Sequence, residues 1–456
     1  MRGDMTTGNP GRTLIKFAIP MVLGNLFQQM YNIADTIIVG NYVGKDALAA
    51  VGASSSIMFL FIAIATGAGI GSSVVISQFF GAKKYGQMKT TICTVLLTML
   101  ALGALVTVLG TGLNRSILRL MNTPEEIFEE ASVYLRIYFM GSIFLFLFNT
   151  FNSIFNAIGR SKIPLVFLIF ASFVNIGLDL LLVIHFKMGV AGVAIATLIS
   201  QGLSAILSFF ALLFELRRMK ITEDFSFFKF NILGNVSKVA VPSIVQQSIV
   251  SIGIVLVQAL VNNYGPVVMA GYTAASKIDS IAIMPMVNIG SAMSTFTAQN
   301  IGANKTERIG KGLKGALSMV WIFGVFIAVM LFFFGEQFIG LFVDTKTDSD
   351  VIAVGVEYLR VVSVFYVIMG TYNNYSGILR GAKDMRVFLI ATLFNLFTRV
   401  GLAYLLAYLS PMGHRSIWWS IPIGWAVGMI ISIYRYRSGK WKPKLENQTV
   451  HSPATN

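Results

Sequence analysis

The chain predicts an all-α membrane protein of twelve transmembrane helices, built as two copies of a six-helix unit. Three observations carry this. Of 456 residues, 55% are hydrophobic and only 12% charged, with a mean hydropathy of +0.73; a soluble domain carries about twice that charged fraction. Apolar runs of about 20 residues, enough to cross the bilayer core as helices, recur from end to end. Finally, Phe17-Ala-Ile-Pro20 … Gly44 … Ala49 … Ala53 … Gln78-Phe-Phe-Gly81-Ala82 returns as Val239-Ala-Val-Pro242 … Gly265 … Ala270 … Ala274 … Gln299-Asn-Ile-Gly302-Ala303. From Gly44 to Ala82 the offset stays at 221.

The first half places spans near residues 14–40, 48–80, 91–113, 131–158, 163–184 and 189–214. The second places them near 236–262, 268–301, 313–335, 357–379, 387–409 and 416–434. This divides the chain into an N-terminal lobe (1–214), a basic and aromatic linker (215–235), a C-terminal lobe (236–437) and a polar tail (438–456). The residues before the first span are polar, and that span is too long for a signal-peptide core, so it reads as a retained helix.

The net charge of +15 reflects topology rather than nucleic-acid binding. With the N-terminus inside, 25 of the 35 Lys and Arg fall in segments on the side of both termini. This is the positive-inside pattern and puts both termini in the cytoplasm. Glu125, Glu126, Glu129 and Glu130 crowd one outer loop, and Asp344, Asp348 and Asp350 another. Cys93 is the only cysteine, so no intramolecular disulfide is possible. Three isolated His and the lack of a Gly-rich loop ending in Lys-Ser/Thr argue against an enzyme. No resident cofactor is expected.

A charge in hydrocarbon costs about 2.5–3.5 kcal/mol on insertion scales, so each one calls for an explanation. The first span offers Asn25, Gln28, Gln29, Asn32 and Asp35, at steps of three and four that put them on one face. In the fifth span Asn175 and Asp179 share a face as an i, i+4 pair, and the sixth adds Thr197. Oxygens from three helices around two carboxylates suit Na+; two close carboxylates equally suit a shared proton. In the repeat, Leu256 and Val257 stand where Asp35 does, so only the first lobe carries this charge.

Elsewhere, Asn149, Asn152 and Asn156 share a face of the fourth span, and Asn373 and Asn374 lie in its counterpart. With Asn288, Met293, Gln28 and Asn32 they outline a wide, adaptable substrate cavity, to which Arg399 of the eleventh span is added. Lys277 and Asp279, two residues apart, face different ways and do not pair with each other. Arg136 and Arg360 open equivalent helices in Tyr-Leu-Arg repeats and snorkel to the outer interface. Pro20 and Pro242 each free a backbone carbonyl and allow a kink; Pro20 is the candidate hinge of the first helix.

These residues resemble the multidrug and toxic compound extrusion (MATE) family, in its DinF-like and MepA-like bacterial branch, over residues 10–435. The carriers are Phe17-Ala-Ile-Pro20, the run Gln28-Gln-Met-Tyr-Asn-Ile-Ala-Asp35-Thr-Ile-Ile-Val-Gly40, Gln78-Phe-Phe-Gly81-Ala82 and Asn175-Ile-Gly-Leu-Asp179. The resemblance implies two six-helix bundles facing each other in a V, related by a pseudo-two-fold axis along the membrane normal. It implies a coupling-ion pocket shared by Asp35, Asn175, Asp179 and Thr197, and bending of the first helix at Pro20. A sister branch carries acidic residues where this chain has Gln246, Gln247, Asn373 and Asn374, so the resemblance extends no cation site to the second lobe.

The expectation is therefore a monomeric antiporter in a bacterial inner (plasma) membrane, exporting amphipathic, cationic organic compounds by alternating access against H+ or Na+. The alternative is a flippase of lipid-linked precursors. Such anionic substrates call for cavity cations, of which the sequence offers chiefly Arg399 and Lys277.

Overall fold

A computed structural model describes residues 3–219, 221–343 and 348–442. Arg2, Lys220 of the predicted linker, Asp344 and Lys346 of a predicted outer loop, and the tail beyond residue 442 lie outside the described residues.

The first half consists of α1 (Pro10–Ile38), α2 (Lys45–Gly81), α3 (Tyr85–Leu120), α4 (Glu125–Met140), α5 (Ser142–Ala157), α6 (Lys162–Asp179) and α7 (Gly189–Arg218). The second consists of α8 (Phe230–Asn262), α9 (Pro266–Ala282), α10 (Met284–Gly302), α11 (Glu307–Ile339), α12 (Ser349–Ser363), α13 (Tyr366–Gly381), α14 (Met385–Leu409) and α15 (Arg415–Arg437). No strand occurs among the described residues. Among the described residues nine spans, α9 and α10 counting together, are long and apolar enough to cross a bilayer, and the bent pairs α4–α5 and α12–α13 raise that to eleven. With α1, as long at 29 residues but lined with amides along one face, there are twelve crossings.

Several helices run beyond the predicted spans because hydropathy marks only the part inside the bilayer; α3 continues over polar ends to 85 and 120. α1 begins where Asn9 accepts a hydrogen bond from the Arg12 amide (3.2 Å), with Pro10 in the first turn, and continues through Pro20. Two spans expected to be continuous bend by 50°. The first bends at Gly141-Ser142, a pairing that commonly kinks helices. The second bends at Val364-Phe365, with no such residue to account for it. In the eighth span the chain breaks at Ile283 and restarts with Pro285, whose missing N–H is harmless in a first turn. Short π-helical turns follow α1 (Val39–Val43) and α6 (Leu180–His185), and the two turns touch.

The lobes meet at the end of the molecule where α1 begins and α15 ends. There the repeat makes a reciprocal contact. A Cβ on Gly81 would lie 2.0 Å from the Gln299 carbonyl oxygen, and one on Gly302 would lie 2.0 Å from that of Gln78. Each glycine of one copy thus faces the matching glutamine of the other, as a two-fold seam requires, and only glycine allows backbones so close. Further from that end, Gly71 packs on Ala240 and Gly67 on Ile244.

Residues Gly3–Gly8 form a strap over the seam. The Met5 amide donates to Gln299 Oε1 (2.9 Å), Asn300 donates to the Met5 carbonyl (3.3 Å), and Lys305 to that of Thr6 (3.0 Å). Arg308 donates to the carbonyls of Thr7 and Gly8, both at 3.0 Å. Across the seam, Gly3 lies against Ile158 and Gly159 of the first lobe. Met5 and Thr6 are buried. The molecule is closed at this end.

Candidate functional site

The polar face of α1 points toward α6 and α7. There the carboxyl groups of Asp35 and Asp179 come within hydrogen-bonding reach of each other. Asn175, one turn before Asp179, donates to Thr197 Oγ1 at 3.5 Å, and the Tyr31 hydroxyl lies 3.4 Å from the same oxygen. Asp179 and Asn175 are buried; Asp35 and Thr197 are half-buried. Asp35 Oδ1, Asn175 Oδ1 and both carboxylate oxygens of Asp179 are buried and accept no hydrogen bond. Neither aspartate takes part in an ion pair among the described residues. Tyr31 and Tyr134 stand beside the pair, with Tyr138 next to both tyrosines. Both carboxylates stand just before the π-helical turns, Asp179 immediately and Asp35 four residues ahead; such turns are frequent at functional sites.

The second lobe holds a different cluster. Tyr366 donates to Asp279 Oδ1 at 2.6 Å and Tyr358 to Oδ2 at 3.3 Å. Arg399 lies near enough to act on the same carboxylate electrostatically, and its Nε is buried without a partner. Lys277 points elsewhere, its ammonium 5.6 Å from the Phe342 ring centre. Two repeat positions tie the clusters together. Tyr134-Leu-Arg136 corresponds to Tyr358-Leu-Arg360, and both tyrosines face carboxylates. Asn175-x-x-x-Asp179 of α6 corresponds to Asn395-x-x-x-Arg399 of α14, so a cation stands where the first lobe has its second acid.

Between the lobes lies a cavity of about 260 Å³. Asn149, Asn152 and Asn156 of α5 line it, with Asn25 and Pro20 of α1, Asn288, Ser291 and Ser294 of α10, and Arg380 of α13. Asn25 donates to Asn288 Oδ1 across it at 2.8 Å. Gln28 lines a smaller neighbouring pocket with Tyr31 and Gln201. Asn32 is exposed and donates to Gln29 (3.2 Å). Met293 and Asn374 have no exposed surface and sit inside packed helices; Asn373 is half-buried, its backbone against Gly290, and Arg399 lies away from the cavity wall.

Sequence reasoning missed Tyr31, Tyr134, Tyr138 and Arg380. The Tyr-Leu-Arg repeat was the available signal for Tyr134, but it draws the eye to the arginine. Arg380 lies among loop cations that topology alone explains.

The MatE family model matches residues 20–181 and again 242–405. The probable multidrug resistance protein YpnP of Bacillus subtilis (strain 168) is 30% identical over 447 residues, covering 96% of this chain and 97% of its own. A MOP-superfamily transporter from Pyrococcus furiosus superposes with a TM-score of 0.89 at 25% identity, over 97% of this chain and 99% of that one. An outward-facing multidrug resistance MATE transporter superposes equally well, with a TM-score of 0.89 at 26% identity and the same coverage of both chains. Matched once in each half by one family model, and along almost its whole length by these relatives, the chain belongs to the MatE family, the multidrug and toxic compound extrusion transporters that its sequence resembles.

Proposed function

We propose that this protein exports amphipathic organic compounds across a bacterial plasma membrane in exchange for H+ or Na+, acting as a monomer with both termini in the cytoplasm. The relatives named for multidrug resistance support export as the task. The observation that carries coupling is the set of four buried acceptor oxygens on Asp35, Asn175 and Asp179 that no donor reaches. Two carboxylates close together in a low-dielectric pocket repel each other and attract one cation strongly. Asn175 gives its amide hydrogens to Thr197, which leaves its oxygen free for the ion. Oxygens of Asp35, Asn175, Asp179 and Thr197 suit Na+, and the two carboxylates alone suit a shared proton.

With the positive-inside orientation, the sealed end is cytoplasmic and this state faces outward. The ion enters from outside, neutralises the pair and changes how α1 packs on α6 and α7, with Pro20 the place in α1 where an unbonded carbonyl allows bending. Drug and ion must prefer different states, because a ligand with equal affinity for both shifts nothing. The expectation of a cationic substrate finds no support in the cavity lining, where Arg380 is the charged residue and no carboxylate appears.

The test is dye export from proteoliposomes under an imposed pH gradient and, separately, an imposed Na+ gradient, for wild type and Asp35→Asn. Transport driven by one gradient and lost in the variant names the ion and supports the reading. Wild-type transport by the variant would sink it.

A further inference from the structure

We propose that the floor of the cavity is an anion subsite, in which Arg380 receives the carboxylate or phosphate group of an amphipathic substrate. The proposal rests on the export reading and adds the chemical class of what is exported. Arg380 sits in the last turn of α13 and lines the cavity close to its sealed end. Its Nε donates to Ser294 Oγ at 3.3 Å, and it forms no ion pair among the described residues. The lining contains no Asp or Glu.

The chain does not lack carboxylates for arginines at this end of the molecule. Arg160, just past the end of α5, the helix that matches α13, is held by Glu215 at 2.8 Å, and Arg435 by Asp384 at 2.6 Å. Arg380 is left without one where water or a ligand alone can answer its charge, and an uncompensated charge in a closed site is strongly unfavourable. The negative end of the α13 dipole and the Phe388 ring, 5.9 Å away, make the guanidinium tolerable. Neither accounts for its place in a cavity wall shared by both lobes. Around it, Ser291 and Ser294 offer hydroxyl donors and Asn152 and Asn156 offer amides, so an oxyanion gains a planar guanidinium fork and neutral partners together. Above, Leu165 and Leu168 form an apolar wall for the rest of the molecule.

The test is binding, read by fluorescence anisotropy on the whole protein in neutral-lipid nanodiscs, of a rhodamine with a free carboxylate and of its methyl ester. The acid should bind tighter by about tenfold or more, the worth of one hydrogen bond to a charged group. Arg380→Gln should bring the ratio to about one, and Arg380→Lys, which keeps charge but loses the fork, should retain part of it. Equal binding of acid and ester by the wild type, or a preference untouched by Arg380→Gln, overturns the subsite and leaves the export reading intact. Binding of neither dye counts against both. A merely structural arginine would weaken acid and ester alike when replaced. If Arg380→Gln does not fold, the wild type decides alone: benzoate at fixed ionic strength should displace the acid and spare the ester, and equal displacement overturns the idea. Adding a polyprenyl phosphate to the nanodiscs separates the sources. Displacement of the acid at low mole fraction assigns the subsite to lipid-linked phosphates, and retention assigns it to soluble organic acids; either way the preference for acid over ester stands.

Discussion

The two lobes are copies of one helix plan, yet they treat buried charge in opposite ways. In the first, Asp35 and Asp179 face each other with no basic partner and with orphaned oxygens. In the second, Asp279 takes hydroxyl hydrogens from Tyr358 and Tyr366 and has Arg399 in its field. The tyrosine of the Tyr-Leu-Arg repeat serves both. Three matching positions changed: Leu256 and Val257 stand where Asp35 does, Asp279 stands where Met58 does, and Arg399 of α14 stands where Asp179 of α6 does. The first lobe thereby gathers two acids with no base, and the second pairs one acid with a base of its own. Duplication therefore need not duplicate an ion site, because a permanent guanidinium fills in the second lobe the electrostatic role proposed for the coupling ion in the first.

The largest expected effect separates the lobes directly. Asp35→Asn should reduce gradient-driven export to the background of empty liposomes, whereas Asp279→Asn should keep its dependence on the same gradient. Equal loss in both, measured as initial rates in matched proteoliposomes, would break the contrast. Next, the reciprocal seam predicts equal consequences from either copy. Gly81→Val and Gly302→Val should each prevent closure, since even a Cβ would meet the opposing glutamine carbonyl at 2.0 Å. In a Cys93→Ser background, Ser161→Cys should then become reactive to an impermeant thiol reagent from the terminal side, and protection retained in one of the two variants would show the seam to be asymmetric.

Smaller effects sharpen the comparison. Tyr366→Phe removes a 2.6 Å bond to a carboxylate and should lower stability by about 1.5–3 kcal/mol, read as a drop of several degrees in the melting temperature of purified protein. Tyr31→Phe removes only a 3.4 Å contact with Thr197 and should cost about 0.5 kcal/mol. It should leave the melting temperature nearly unchanged and alter transport about twofold at most. A larger thermal loss for Tyr31→Phe than for Tyr366→Phe would mean that the first-lobe pocket is the more tightly bonded of the two.

Much of this architecture is legible in the sequence because membrane depth and helical facing are simple constraints. The 221-residue offset announces the repeat. Steps of three and four along α1 place Asp35 on the face that meets Asp179, and the i, i+4 spacing of Asn175 and Asp179 places both toward Thr197. The bends at Gly141-Ser142 and Val364-Phe365 were not legible, since continuous apolar runs carry no record of a 50° turn. Nor was the burial of Met293 and Asn374: α10 and α13 pack against neighbours on most sides, so polarity alone does not say which residues reach a cavity. Arg380 was hidden for another reason. Its neighbours Lys383 and Arg386 belong to a basic loop, and counting charge by loop conceals the one side chain that turns inward.

The strap over the seam has a consequence for the order in which the molecule is completed. Met5 bonds to Gln299 and Asn300, and the Thr7 and Gly8 carbonyls to Arg308, partners about 300 positions further along the chain. During synthesis, which proceeds from the N-terminus at about 5–20 residues per second, these early residues emerge first yet find these partners only as α10 ends and α11 begins. For some tens of seconds the strap has only its first-lobe contact, Gly3 against Ile158 and Gly159, and none of its bonds to the second lobe. It is therefore among the last pieces of the first lobe to seat, although it is made before every helix it fastens.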